Sequence, residues 1–121
     1  MKIGEQVGGS HYAAMKIQPS ELFEKYDIPW SQANAIKYVC RYDMKGGVLD
    51  LEKAIHYVKS ATKIVSIPKW KIWEFRDGFE GLSREKGYAL LILMAPSYVG
   101  EDLGMWKRIV VKELEKMQAT L

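Results

Sequence analysis

Residues 34–57 read Asn34-Ala35-Ile36-Lys37-Tyr38-Val39-Cys40-Arg41-Tyr42-Asp43-Met44-Lys45-Gly46-Gly47-Val48-Leu49-Asp50-Leu51-Glu52-Lys53-Ala54-Ile55-His56-Tyr57. In the first half, Ile36, Val39 and Cys40 recur with a helical period, and Ser31 just upstream is a natural N-cap, so a helix is predicted to about Asp43. Gly46-Gly47 ends it. The second half opens another helix, roughly Leu49 to Val65, with Leu51, Ala54, Ile55, Val58, Ala61 and Val65 on one stripe. Two helices joined by so short a turn run antiparallel.

The polar residues of the same stretch are as regular as the apolar ones. Asn34, Lys37, Tyr38 and Arg41 stand at offsets of zero, three, four and seven, which stacks them on one side of the helix, opposite Ile36 and Cys40. Lys45-Gly46-Gly47 offers backbone amides and a cation beside a helix N-terminus, a setting that stabilises phosphate. Asp50, Lys53 and Tyr57 share a face of the next helix. Together these residues predict an anion-binding surface with an aromatic ring for stacking. Residue by residue, other readings stand: a solvated helix face, a plain C-cap at Gly46-Gly47, and an Asp50 that caps a helix or pairs with Lys53.

Working outward, residues 1–14 carry Gly4, Gly8 and Gly9 without a helical period and read as an extended arm ending in Ser10-His11-Tyr12. Pro19-Ser20 starts a short helix to about Lys25, with Leu22, Phe23 and Tyr26 on its apolar side. Beyond Ile67-Pro68 comes an aromatic stretch with Trp70, Trp73, Phe75 and Phe79, read as a short helix. Ser83 caps a segment from Arg84 to about Met94, a helix by its length although its apolar run also suits a buried strand. The last helix, about Glu101 to Gln118, lines up Leu103, Trp106, Val110, Leu114 and Met117. The expected fold is mostly α, a small helical domain on a helix, Gly turn and helix unit, with an N-terminal arm and an aromatic-rich helical C-terminal half.

The 121 residues, 48% of them hydrophobic, suit one domain with a modest core. With 12% aromatic residues to cover, a homo-oligomer is expected, Trp70, Trp73 and Trp106 being assigned to assembly. A net charge of +3 is far from the basic field of a non-specific DNA binder, so long nucleic acids are not expected partners. One cysteine, Cys40, excludes a disulfide framework or a Cys-rich zinc site, and no metal site is expected. The N-terminus has no signal-peptide pattern, and the longest apolar run, Ala89 to Ala95, is too short to cross a bilayer, so no membrane association and a cytoplasmic location are expected.

The ordered set Gly9-Ser10-His11-Tyr12, Asn34-x-x-Lys37-Tyr38-x-x-Arg41, Lys45-Gly46-Gly47 and Asp50-Leu51-x-Lys53-Ala54-x-x-Tyr57 resembles a small phage-encoded domain family of otherwise unknown function that includes a podophage nucleotide kinase. The resemblance covers about Gly8 to Ile64 and leaves residues 65–121 as a helical extension for packing and assembly. It implies a protein of the infected host's cytoplasm that phosphorylates deoxynucleoside monophosphates, of the thymine and guanine type, with ATP as donor and no required cofactor or divalent metal. No P-loop pattern is present, in keeping with that relative. The sequence departs from it in lacking a long Cys-containing N-terminal region and in adding the aromatic C-terminal half.

On that reading His11, Lys37 and Arg41 are the catalytic candidates. Ser10, Tyr12, Asn34, Tyr38, Lys45, Gly46, Gly47, Asp50, Lys53 and Tyr57 bind the nucleotide. Phosphoryl transfer requires an aligned donor and acceptor and neutralised charge, which cations can supply. His11 would orient or protonate a phosphate, and Tyr12 or Tyr38 would stack on the base. His56 is read as a structural or surface residue. The alternative is a non-catalytic protein that sequesters or senses a nucleotide, such as a host defence signal. A further rival, an all-helical magnesium-dependent nucleotide pyrophosphohydrolase, would rest on Glu21, Glu24 and Asp50, but such enzymes need a denser carboxylate cluster.

Overall fold

The computed structural model describes residues 19–68, 71–72 and 81–121. Five α-helices lie among these residues: α1 (Pro19–Tyr26), α2 (Trp30–Arg41), α3 (Gly47–Ser60), α4 (Arg84–Met94) and α5 (Leu103–Ala119). A π-helical turn, Tyr42–Gly46, joins α2 to α3, and a 3-10 turn, Pro96–Val99, leads from α4 towards α5. The mostly helical class is as the periodicity predicts. The N-terminal arm and the aromatic residues Trp70, Trp73, Phe75 and Phe79 lie outside the described residues.

The apolar stripes explain how the helices meet. Helix α2 packs on α3, α3 on α5, α5 on α4, and α4 back on α2, so four helices close a ring around one core, with α1 laid against α2. Ile36, Val39 and Cys40 from α2 meet Leu51, Ala54 and Val58 from α3, Leu90 and Leu93 from α4, and Val110 and Leu114 from α5, all fully buried. Arg84–Met94 is a helix, capped by the Ser83 hydroxyl, which accepts from the Lys86 amide at 3.2 Å. Trp106 lies wholly inside this core and its indole N–H donates to the Ile92 carbonyl at 2.8 Å. That corrects its assignment to a subunit interface: a ring facing α4 within the same chain has no surface to offer a partner.

Several boundaries differ from the expected ones. Ser31 does not cap α2, which starts two residues earlier, at Trp30 after Pro29; the Pro29 carbonyl accepts from the Ala33 amide at 2.9 Å and no side chain caps the end. Regular α-helix stops at Arg41 rather than Asp43, and the π turn carries the chain into α3 at Gly47. The third helix stops at Ser60, five residues short of Val65. Beyond that end, the chain is tied to Gln32, a fully buried polar residue on α2. Its Nε2 donates to the carbonyls of Val65 (2.7 Å) and Leu93 (2.8 Å), and its Oε1 accepts from the Val65 amide at 2.9 Å. A side-chain amide thus supplies the Val65 backbone with both a donor and an acceptor, and pins that residue of the non-helical segment 61–68 to α2.

Candidate functional site

Helices α2 and α3 turn their inner stripes to the core and leave their polar faces side by side outside it. The Tyr38 ring stands at the seam. Tyr57 of α3 stacks on it with centroids 5.8 Å apart and planes 9° from parallel. Three cations surround the same ring: the Arg41 guanidinium at 4.9 Å, the Lys53 ammonium at 5.4 Å and the Lys37 ammonium at 5.6 Å from its centroid. A tyrosine face carries the negative end of its quadrupole, so it tolerates cations that would otherwise repel one another. Beside it opens a groove of about 280 Å³ lined by Tyr38, Glu52, Lys53, His56 and Tyr57.

The cations are not equally committed. Arg41 makes a two-pronged pair with Asp50, Nε to Oδ2 at 3.1 Å and Nη2 to Oδ1 at 3.3 Å, and Asp50 is only 1% exposed. Asp50 therefore serves Arg41, rather than Lys53. Among the described residues Lys37 and Lys53 form no ion pair. Lys37 is exposed and Lys53 half-buried, so positive charge remains available at the groove.

The Gly46-Gly47 corner, expected as an amide cradle, also has a packing task. A Cβ at Gly46 would overlap the Asp50 carboxylate, so Gly46 is needed for the buried pair to close. Gly47 takes φ +54°, a left-handed conformation that suits glycine. With a carboxylate against this corner, a phosphate is better stabilised at Lys37 and Lys53. Lys45 is exposed on the π turn, and Asn34 donates to the Trp30 carbonyl at 2.9 Å. Ser10, His11 and Tyr12 lie outside the described residues.

Sequence reasoning passed over Trp30. Its position four residues before Asn34 puts it on the same face, which is the signal that would have found it. The indole is 69% exposed and meets the Tyr57 ring edge to face at 5.2 Å. His56, read as a surface residue, is exposed and also meets Tyr57 edge to face, at 5.6 Å.

Behind the groove, the π turn is fastened from α4. Lys86 is 3% exposed, and its ammonium donates to the Cys40 carbonyl at 2.8 Å and to Asp43 at 2.9 Å. No periodicity signals this, since Lys86 sits in the first turn of a helix where a solvated lysine is the ordinary expectation. Burial pushes the Cys40 thiol up to about 12, with Lys86 opposing and Asp43 reinforcing the shift. Burial likewise raises Tyr42, against a hydrogen bond from Ser83. Cys40 is consequently a core residue, not a thiolate nucleophile.

Sequence comparison finds a likeness over part of the chain. Residues 7–59 match the family described as a protein of unknown function, DUF3310. The DUF3310 match takes in α1, α2, the π turn and all of α3 except Ser60, and so every residue lining the groove, while α4 and α5 lie beyond it. No curated protein and no solved structure matches the chain. Among the described residues no helix is long and apolar enough to cross a membrane, and no group of three or more His, Cys, Asp or Glu side chains converges as metal ligands. Glu21 and Glu24, exposed on α1, do not join Asp50 as a pyrophosphohydrolase would need.

Proposed function

We propose that the chain is a nucleotide-binding protein of phage origin that phosphorylates deoxynucleoside monophosphates from ATP, with the groove between α2 and α3 as its nucleotide site. The observation that supports this reading is the gathering of Lys37, Arg41 and Lys53 around the Tyr38 ring, with Asp50 committed to Arg41 alone. Phosphoryl transfer asks little covalent chemistry of a protein. It asks for cations that neutralise the oxygens of the transferred group and for rigid placement of the reactants. Lys37 and Lys53 would take the phosphate, and Arg41, fixed by Asp50, would hold the electrostatic field in place. The resemblance adds Ser10, His11 and Tyr12 from the N-terminal arm.

A second reading, binding without turnover, draws on the groove's size. About 280 Å³ is at the small end of ligand sites and suits one nucleotide better than a donor and an acceptor together. The test is to incubate the chain with a panel of deoxynucleoside monophosphates and ATP, with and without EDTA, and to separate the products by chromatography. Diphosphate formation is expected. Stoichiometric binding with unchanged ligand would replace the kinase by the binder, and a chain that binds no nucleotide would remove both. Lys37→Ala with Lys53→Ala should abolish binding and keep the helical circular dichroism.

A further inference from the structure

We infer that Trp30 is the base-stacking platform of this groove and that the ligand is a nucleoside monophosphate whose base lies on the indole while its phosphate reaches Lys37 and Lys53; the inference rests on the nucleotide-binding reading above. The rings of the cluster differ in how much of their surface is already used. Tyr38 has Tyr57 stacked on it at 5.8 Å and cations at 4.9, 5.4 and 5.6 Å, so a base could lie there only by displacing them. Tyr57 holds Tyr38 against it and meets both Trp30 and His56 edge to face. Among the described residues Trp30 touches one ring, that of Tyr57, and it is 69% exposed.

An exposed tryptophan could be no more than chance surface, but this one is held in place. It is the first residue of α2, directly after Pro29, and its carbonyl is tied to the Asn34 side-chain amide at 2.9 Å. The contact with Tyr57, planes 83° apart, fixes the ring's tilt against α3. An indole held this way loses little freedom when a base settles on it, and stacking needs no particular base edge. Ring-to-ring steps of 5.2 and 5.8 Å place the indole within roughly 11 Å of the Tyr38 ring where the cations gather. A span no longer than that is within reach of a base joined through a sugar to one phosphate, whereas a lone anion would use the lysines only.

Affinities of the full chain for deoxynucleoside monophosphates and for ribose 5-phosphate, which has the phosphate but no base, separate the two halves of the site. Wild type should bind the nucleotides more tightly than ribose 5-phosphate. Trp30→Ala should weaken nucleotide binding roughly 5- to 100-fold, the range for losing one aromatic stacking partner, and leave ribose 5-phosphate unchanged. Trp30→Phe should retain most of the affinity and lose the tryptophan fluorescence quench that nucleotide produces in wild type. Lys37→Ala should weaken both ligands. Nucleotide binding that survives Trp30→Ala intact, or a variant that loses both ligands equally, overturns the inference and leaves the nucleotide-binding reading standing. A wild-type chain that binds ribose 5-phosphate as well as nucleotides also refutes it, and one that binds no nucleotide takes down both.

Discussion

Arg41 and Asp50 allow the groove's electrostatics to be tested through stability before any ligand is known. The pair is unequal: the Asp50 side chain is 1% exposed and that of Arg41 21%. Removing Arg41 by Arg41→Ala strands a carboxylate against the Gly46 backbone with both its guanidinium bonds, at 3.1 and 3.3 Å, gone. An uncompensated buried charge costs about 3–5 kcal/mol. Asp50→Ala leaves instead a guanidinium with some access to water, and the loss should be nearer 1–3 kcal/mol, that of a charged hydrogen bond. Urea unfolding followed by circular dichroism measures both. With a slope of about 1–3 kcal/mol per molar urea for a chain this small, Arg41→Ala should lower the midpoint by roughly 2 M, and Asp50→Ala by less. The double variant should be more stable than the sum of the single losses implies, because the two groups share one interaction. An Arg41→Ala loss smaller than that of Asp50→Ala, or strict additivity, would refute the account of Asp50 as a buried partner that depends on Arg41.

Two other predictions concern the scaffold. Gln32→Ala should cost about 3 kcal/mol, since it opens a cavity and leaves the Val65 amide and carbonyl without their side-chain partner; hydrogen exchange at the Val65 amide should accelerate, and unchanged protection there would show that residues 61–68 do not depend on Gln32. Cys40, raised to about 12 from the ordinary 9.0, should resist iodoacetamide at pH 8 until the chain unfolds. Between pH 9 and 12 the unfolded thiol releases its proton while the folded one keeps it, so the unfolded state binds fewer protons and stability falls as pH rises. Cys40→Ala should flatten that alkaline decline, and an identical decline in the variant would remove Cys40 as its cause.

What the sequence disclosed, and what it hid, follows from the range over which each interaction acts. The apolar stripes of α3 and α5 and the Ser83 cap are local in sequence, and each was readable from spacing alone. Lys37, Tyr38 and Arg41 were readable for the same reason, because offsets of three and four residues fix a shared helix face. Gln32 was hidden because its partners, Val65 and Leu93, are 33 and 61 residues away. Lys86 was hidden likewise, since it reaches Cys40 over 46 residues. Asp50 falls between the two: its helix was expected, but its choice of Arg41 over Lys53 depends on how the π turn sets α2 against α3.

The division of labour between the two halves of the chain bears on how the groove keeps its shape. Every groove residue comes from α2 and α3, yet neither helix could hold its polar face in register if its apolar face were uncovered. Helix α5 covers α3 and also grips its ends: Gln118 donates to the Val48 carbonyl at 3.3 Å and to Glu52 at 2.7 Å, and Lys107 donates to the Lys59 carbonyl at 2.9 Å. Helix α4 does the same for α2 through Lys86 and, by way of the Leu93 carbonyl, Gln32. Residues beyond the matched segment thus contribute no group to the groove among those described, and still set the α2 to α3 spacing on which the Tyr38 and Tyr57 stack, and with it the placement of the three cations, depends.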